Sequence, residues 1–154
     1  VSQTPYDDLA NFWEKYHLTP CIQTIAGQEM GTKAHHIQLA KTAGGYPDEC
    51  VLMIGDADGD RKAVKQNQGL FYPVIPGEEE LAWKNLPFFF DEFVAGSYGR
   101  KSEGKLLNNF SKVLWPSPPW EKSGYDHVEA YRQKQNLRIA LYQRFNPAGR
   151  LKTL

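Results

Sequence analysis

The chain has 154 residues, 41% of them hydrophobic and 23% charged, which is enough for one domain with a core and too few for two ordinary ones. Its 18 basic and 18 acidic residues give a formal net charge of +0, so no global positive field gathers nucleic acid or an anionic membrane surface. No stretch reaches membrane-spanning length, the start lacks the regions of a signal peptide, and Cys21 and Cys50 form neither a metal-spaced pair nor a disulfide framework. A cytoplasmic chain with no nucleic-acid and no membrane partner is the expectation.

In chain order, Thr4-Pro5 reads as an N-cap with proline at the first helical position, and Leu9, Phe12, Trp13 and Tyr16 mark one face of a helix to about His17. CIQTIA, residues 21 to 26, reads as a short strand. Gly31-Thr32 opens a helix through about Ala43 that Gly44-Gly45 ends. Val51 to Ile54 reads as a central strand buried on both faces, followed by a helix from about Asp60 to Gln68 and a short strand or extended segment in LFYPVIP. Alternating helix and strand is the pattern of a parallel sheet with crossover helices.

From Glu78 the pattern is helical, with Leu81, Trp83 and Leu86 before Pro87 and then PFFFDEFVAGSY and KLLNNFSKVL. Phe88, Phe89 and Phe90 read as core or helix-packing material. WPSPPW, residues 115 to 120, reads as a stiff proline-rich joint. Tyr125 to Phe145 reads as a final helix, with Val128, Tyr131, Leu141 and Phe145 among its apolar positions and Arg132, Lys134, Arg138 and Arg144 on a solvated face. This divides the chain into residues 1 to 114, a joint over 115 to 124, and a helical tail over 125 to 154.

The segment VLMIGDADGD, residues 51 to 60, carries most of the chemical information. An apolar strand ends in glycine and releases Asp56, Asp58 and Asp60 at its carboxyl end, where ligands bind in open α/β sheets. Carboxylates gathered there suit Mg²⁺, which is held by one or two of them with phosphate and water. An EF-hand is excluded, because counting from Asp56 puts Arg61 where the loop needs glycine and Asn67 where it needs glutamate. A plain acidic turn is the other reading, since glycine and aspartate favour turns. Ser2 in VSQTP and Lys33 in GTKAHH complete a candidate phosphoryl site of hydroxyl, ammonium and metal-binding carboxylates. Each is weak alone; their order and their placement at element ends join them. His35 and His36 point about 100° apart on a helix, one toward the surface and one partly packed.

In these residues the chain resembles the C-terminal part of a haloacid dehalogenase (HAD) superfamily hydrolase. That family has a serine or threonine ending a strand, a lysine starting a later helix, and a strand ending in GDxxxD; FYPVIPGEEELAW is similar to the segment after the acidic loop in a phosphatase-like branch. The resemblance implies an α/β, Rossmann-like core that is N-terminally incomplete, with parallel strands, crossover helices and a helical C-terminal extension. It further implies Ser2 and Lys33 as phosphoryl-binding catalytic residues, Asp56 and Asp60 as ligands of Mg²⁺, and a small phosphorylated substrate. Asp58 lies outside the minimal pattern.

The same resemblance defines what is absent. The family's D-x-D, whose first aspartate attacks phosphorus, belongs to a strand upstream of Ser2, and the cap inserted after it would be missing as well. The expectation is therefore a phosphatase whose aspartyl nucleophile lies outside these residues, a chain with negligible turnover by itself, and a weak Mg²⁺ site. Self-association or the missing N-terminal segment would cover the sheet edges left open. The alternative is a non-catalytic, HAD-derived protein-interaction module.

Overall fold

A strand that buries one side chain on each face needs a layer of helices on both, and the strand Leu70–Pro73 has them. The computed structural model describes residues 1–114, 121 and 123–145, the side chains of 141–145 excepted. It divides into two compact units, residues 1–114 and 115–154. The first is α/β and mostly helical, in the order α1 (Tyr6–Lys15), α2 (Lys33–Gly44), β1 (Leu52–Gly55), α3 (Asp58–Gln66), β2 (Leu70–Pro73), α4 (Glu79–Val94) and α5 (Gly104–Val113). β1 and β2 pair in parallel, Leu52 opposite Leu70 and Gly55 opposite Pro73, with α3 as the crossover.

Alternation along β2 separates two apolar layers. Phe71 joins Ile37 of α2, Ala63 and Val64 of α3 and Phe110 of α5, its ring 5.7 Å from that of Phe110. Tyr72 and Val74 face the other way, onto Ala82 of α4 and Tyr98. Phe71 and Phe110 are fully buried, and each such aromatic is worth roughly 2 kcal/mol over leaving it in water.

The outer edge of β2 is closed by side chains. Phe71 N–H, directed away from β1, donates to Glu103 Oε1 at 2.7 Å, and Tyr98 Oη donates to Phe71 O at 2.7 Å. Pro73 has no N–H to offer. Glu103 ends a π-helical turn over Gly99–Glu103, and Lys65 donates to it at 2.6 Å. Burial first, and the Glu103 carboxylate second, push the Tyr98 hydroxyl well above its ordinary value, so it stays a donor.

Several sequence expectations are corrected. Residues 21 to 26 form no strand; a single 3₁₀ turn, Thr19–Cys21, leads into irregular chain. That segment and the residues just after it meet residues 2 to 4 through two backbone bonds, Ser2 N to Ala26 O at 3.0 Å and Gln28 N to Thr4 O at 3.1 Å, too few for a ladder. β1 begins one residue later than expected and is half-buried, with Ile54 37% exposed. Its only strand partner among the described residues is β2, so the edge bearing Leu52 and Ile54 N–H and C=O stays outside the ladder. Pro5, not Thr4, is the N-cap of α1; the Glu29 carboxylate accepts from Tyr6 N at 3.0 and 3.3 Å instead. Gly27 permits this approach, since a Cβ there would lie 2.7 Å from Tyr6 N.

α4 runs unbroken through Pro87. Of the Phe88-Phe89-Phe90 run, Phe89 is turned inward, 5.6 Å from the Tyr72 ring, while Phe88 and Phe90 are exposed. In the second unit, WPSPPW lies outside the described residues. The helix α6 (His127–Phe145) is capped by Asp126, whose Oδ1 accepts from Val128 N at 2.9 Å and Glu129 N at 3.0 Å. Val128, Tyr131, Arg132, Lys134 and Arg138 are exposed; the side chains of Leu141, Arg144 and Phe145 lie outside the described residues. No described helix is long and apolar enough to cross a membrane.

Candidate functional site

β1 ends at Gly55, and the chain turns through Asp56 and Ala57 into α3, whose first turn carries Asp58 and Asp60. Negative charge in a first helical turn is favoured by the helix dipole. Asp60 folds back over the strand end: a Cβ on Gly55 would fall 2.6 Å from Asp60 Oδ2 and 2.7 Å from its Cβ. Gly55 is therefore required by packing. Asp60 is 4% exposed.

Lys33 comes to the same place from α2. Thr32 caps that helix, its Oγ1 accepting from His35 N at 3.2 Å, and Lys33 occupies the first helical position. Its Nζ donates to Asp60 Oδ1 in an ion pair that is mostly buried on both sides. Both residues line a cavity of about 410 Å³, together with Gln3, Thr32, Lys62 and Gln66 among others. An ammonium, two amides, a hydroxyl and a second lysine there can hydrogen-bond a compact anion.

The other sequence-predicted residues are placed differently. Ser2 Oγ accepts from Thr4 N at 3.1 Å and donates to Thr4 Oγ1 at 3.1 Å, a local turn that occupies the hydroxyl. Its neighbour Gln3, not Ser2, lines the cavity. Asp56 is exposed and lies outside that lining. Asp58 has a structural role that the motif left open: Arg61 Nη2 and Nε approach its Oδ1 at 2.5 and 2.7 Å, and Lys62 Nζ approaches Oδ2 at 2.8 Å. The Lys62 and Arg61 hydrogen bonds hold its carboxyl below the ordinary value of 3.8.

Among the described residues no three His, Cys, Asp or Glu side chains converge as a metal cage. Of the two aspartates expected to hold Mg²⁺, Asp60 is buried with Oδ1 engaged by Lys33, and Asp56 is exposed outside the cavity lining. His35 is exposed and His36 is buried, with neither ring nitrogen hydrogen-bonded among the described residues. Sequence reasoning missed Gln3, Lys62 and Gln66. The last two had a signal, because Gly59, Lys62 or Ala63, and Gln66 recur at the i, i+3/i+4, i+7 spacing of one helix face.

No protein-family model matches the chain, no curated protein matches it in sequence, and no solved structure matches it in fold.

Proposed function

We propose that this chain is part of a HAD-like, Mg²⁺-dependent hydrolase, a phosphatase acting on a small phosphate ester, with its aspartyl nucleophile supplied from outside residues 1–154. The observation that carries the reading is the Lys33–Asp60 pair at the carboxyl end of a parallel strand, on the wall of a 410 Å³ cavity. The β1–α3–β2 unit supports a Rossmann-like HAD core as the finer fold. In this reading Lys33 places positive charge on the phosphoryl oxygens, and Ser2 donates to them once its hydroxyl leaves Thr4. Asp56 and Asp60 would hold Mg²⁺, which neutralises charge developing on the transferring group.

Titration of inorganic phosphate in the presence of Mg²⁺, followed by calorimetry, tests the site. Binding should weaken about tenfold in Lys33→Ala; equal affinity in Lys33→Ala and the parent chain rejects the assignment. The 154-residue chain should show negligible turnover of a generic phosphate ester, and a chain that also carries the D-x-D segment should be active.

The second reading is a non-catalytic interaction module of HAD descent. It is favoured by the exposed apolar residues of α4, where Trp83 is 54% and Val94 72% exposed.

A further inference from the structure

α4 carries two apolar stripes of the same spacing. Ala82, Leu86, Phe89 and Phe93 recur at i, i+4, i+7 and i+11 and pack with Tyr72, Val74 and Tyr98. Trp83, Pro87, Phe90 and Val94 repeat that spacing one residue later, rotated by about 100° around the helix. Every member of this second stripe is exposed, with Phe90 at 47% and Val94 at 72%. A helix that packs on one side needs one such stripe. The second is long enough, at about 16 Å from Trp83 to Val94, for a helix to lie along it.

The charges beside the stripe favour one occupant. Lys84 and Asp91 are exposed, seven residues apart on one rim, and flank the stripe's midpoint. Neither forms an ion pair with another described residue. When two identical helices cross antiparallel about a twofold axis, the same rim of each meets the other, and a residue before the midpoint faces one after it. Lys84 of one copy then faces Asp91 of the second, twice over, while the apolar stripes meet between them. A parallel twofold pairing would instead set this rim against the opposite rim of the partner, so that Lys84 and Asp91 would not meet.

We propose that the second stripe of α4 is a self-association surface, on which a second copy of this chain lies antiparallel with reciprocal Lys84–Asp91 pairs. The surface lies on a different face from the cavity of Lys33 and Asp60 and does not depend on the phosphatase reading.

Sedimentation velocity on the 154-residue chain, from about 1 μM to about 1 mM, tests it. The parent chain should pass from monomer to dimer within that range, and Phe90→Asp should weaken the dimer about a hundredfold. Lys84→Glu and Asp91→Lys should each weaken it about tenfold, and the double charge exchange should restore it. Unfolding midpoints unchanged in the charge variants, whose positions are exposed, establish that folding is intact; a variant that fails this check is replaced by Lys84→Gln or Asp91→Asn, with the same direction of effect expected. A monomer throughout, a dimer indifferent to Phe90→Asp, or single reversals that the double exchange does not rescue would each overturn the proposal.

Discussion

Two buried carboxylates in this molecule are each paired with a lysine, and their surroundings give them opposite characters. Glu103, 7% exposed, accepts from both Lys65 Nζ and Phe71 N–H, and Lys65 makes a second bond to Gly69 O at 3.1 Å. Asp60, 4% exposed, accepts from Lys33 through Oδ1, while its Oδ2 lies against Gly55 at a cavity wall. In the first pair both partners also bond backbone, Glu103 at Phe71 N–H and Lys65 at Gly69 O, and the carboxylate closes a strand edge. The second meets backbone on one side and open space on the other, which is what a ligand requires. A buried lysine–carboxylate pair is thus informative through the remaining oxygens and protons, more than through its own contact.

This contrast orders the effects of substitution. Glu103→Ala should be the most damaging, because it orphans Phe71 N–H in the core and strips Lys65 of its counter-charge; a loss of about 3 kcal/mol in urea unfolding is expected. Gly55→Ala comes next, at about 2 kcal/mol, since its Cβ has nowhere to go without moving Asp60. Lys33→Ala should cost only about 1 kcal/mol, because solvent entering the cavity relieves the uncovered Asp60. If Lys33→Ala proved more destabilising than Glu103→Ala, the distinction between the two pairs would collapse.

Asp58→Asn should have the smallest effect, about 0.5 kcal/mol, as expected for partly exposed pairs within one helix turn plus the helix dipole. The pH dependence has a definite sign. Because the folded-state pKa of Asp58 is lowered, its contribution is complete above its ordinary value of 3.8 and fades as pH falls through the lowered one. Acid titration of the unfolding midpoint in the parent chain and in Asp58→Asn should therefore show two curves converging only in that acidic range.

Much of this was legible in the sequence wherever the signal is local. Lys33 and Asp60 each sit at an element end announced by its neighbours, Gly31-Thr32 before one and the strand-Gly55 junction before the other. Glu103 and Tyr98 gave no such sign, because their partners are backbone atoms of Phe71, 32 and 27 residues away. Residues 21 to 26 misled for the converse reason: the β-branched Ile22, Thr24 and Ile25 suit a strand, but strand identity depends on a ladder that the neighbouring chain does not supply. The role of Asp58 was equally hidden by its motif. Its spacing to Arg61 and Lys62 on a helix was the better guide than its spacing to Asp56 and Asp60.

The sealed outer edge of β2 also sets a limit on how copies of this protein can join strand to strand. A sheet with two free edges templates an open-ended polymer, because every addition presents a fresh edge. Here Glu103, Tyr98 and Pro73 remove one edge, leaving the side of β1 bearing Leu52 and Ile54. Among the described residues, edge-to-edge joining must then bring two β1 strands together, and the product has no described strand edge left to extend. Growth of that kind terminates at two copies, so the residues that close β2 guard against fibres as well as holding the core.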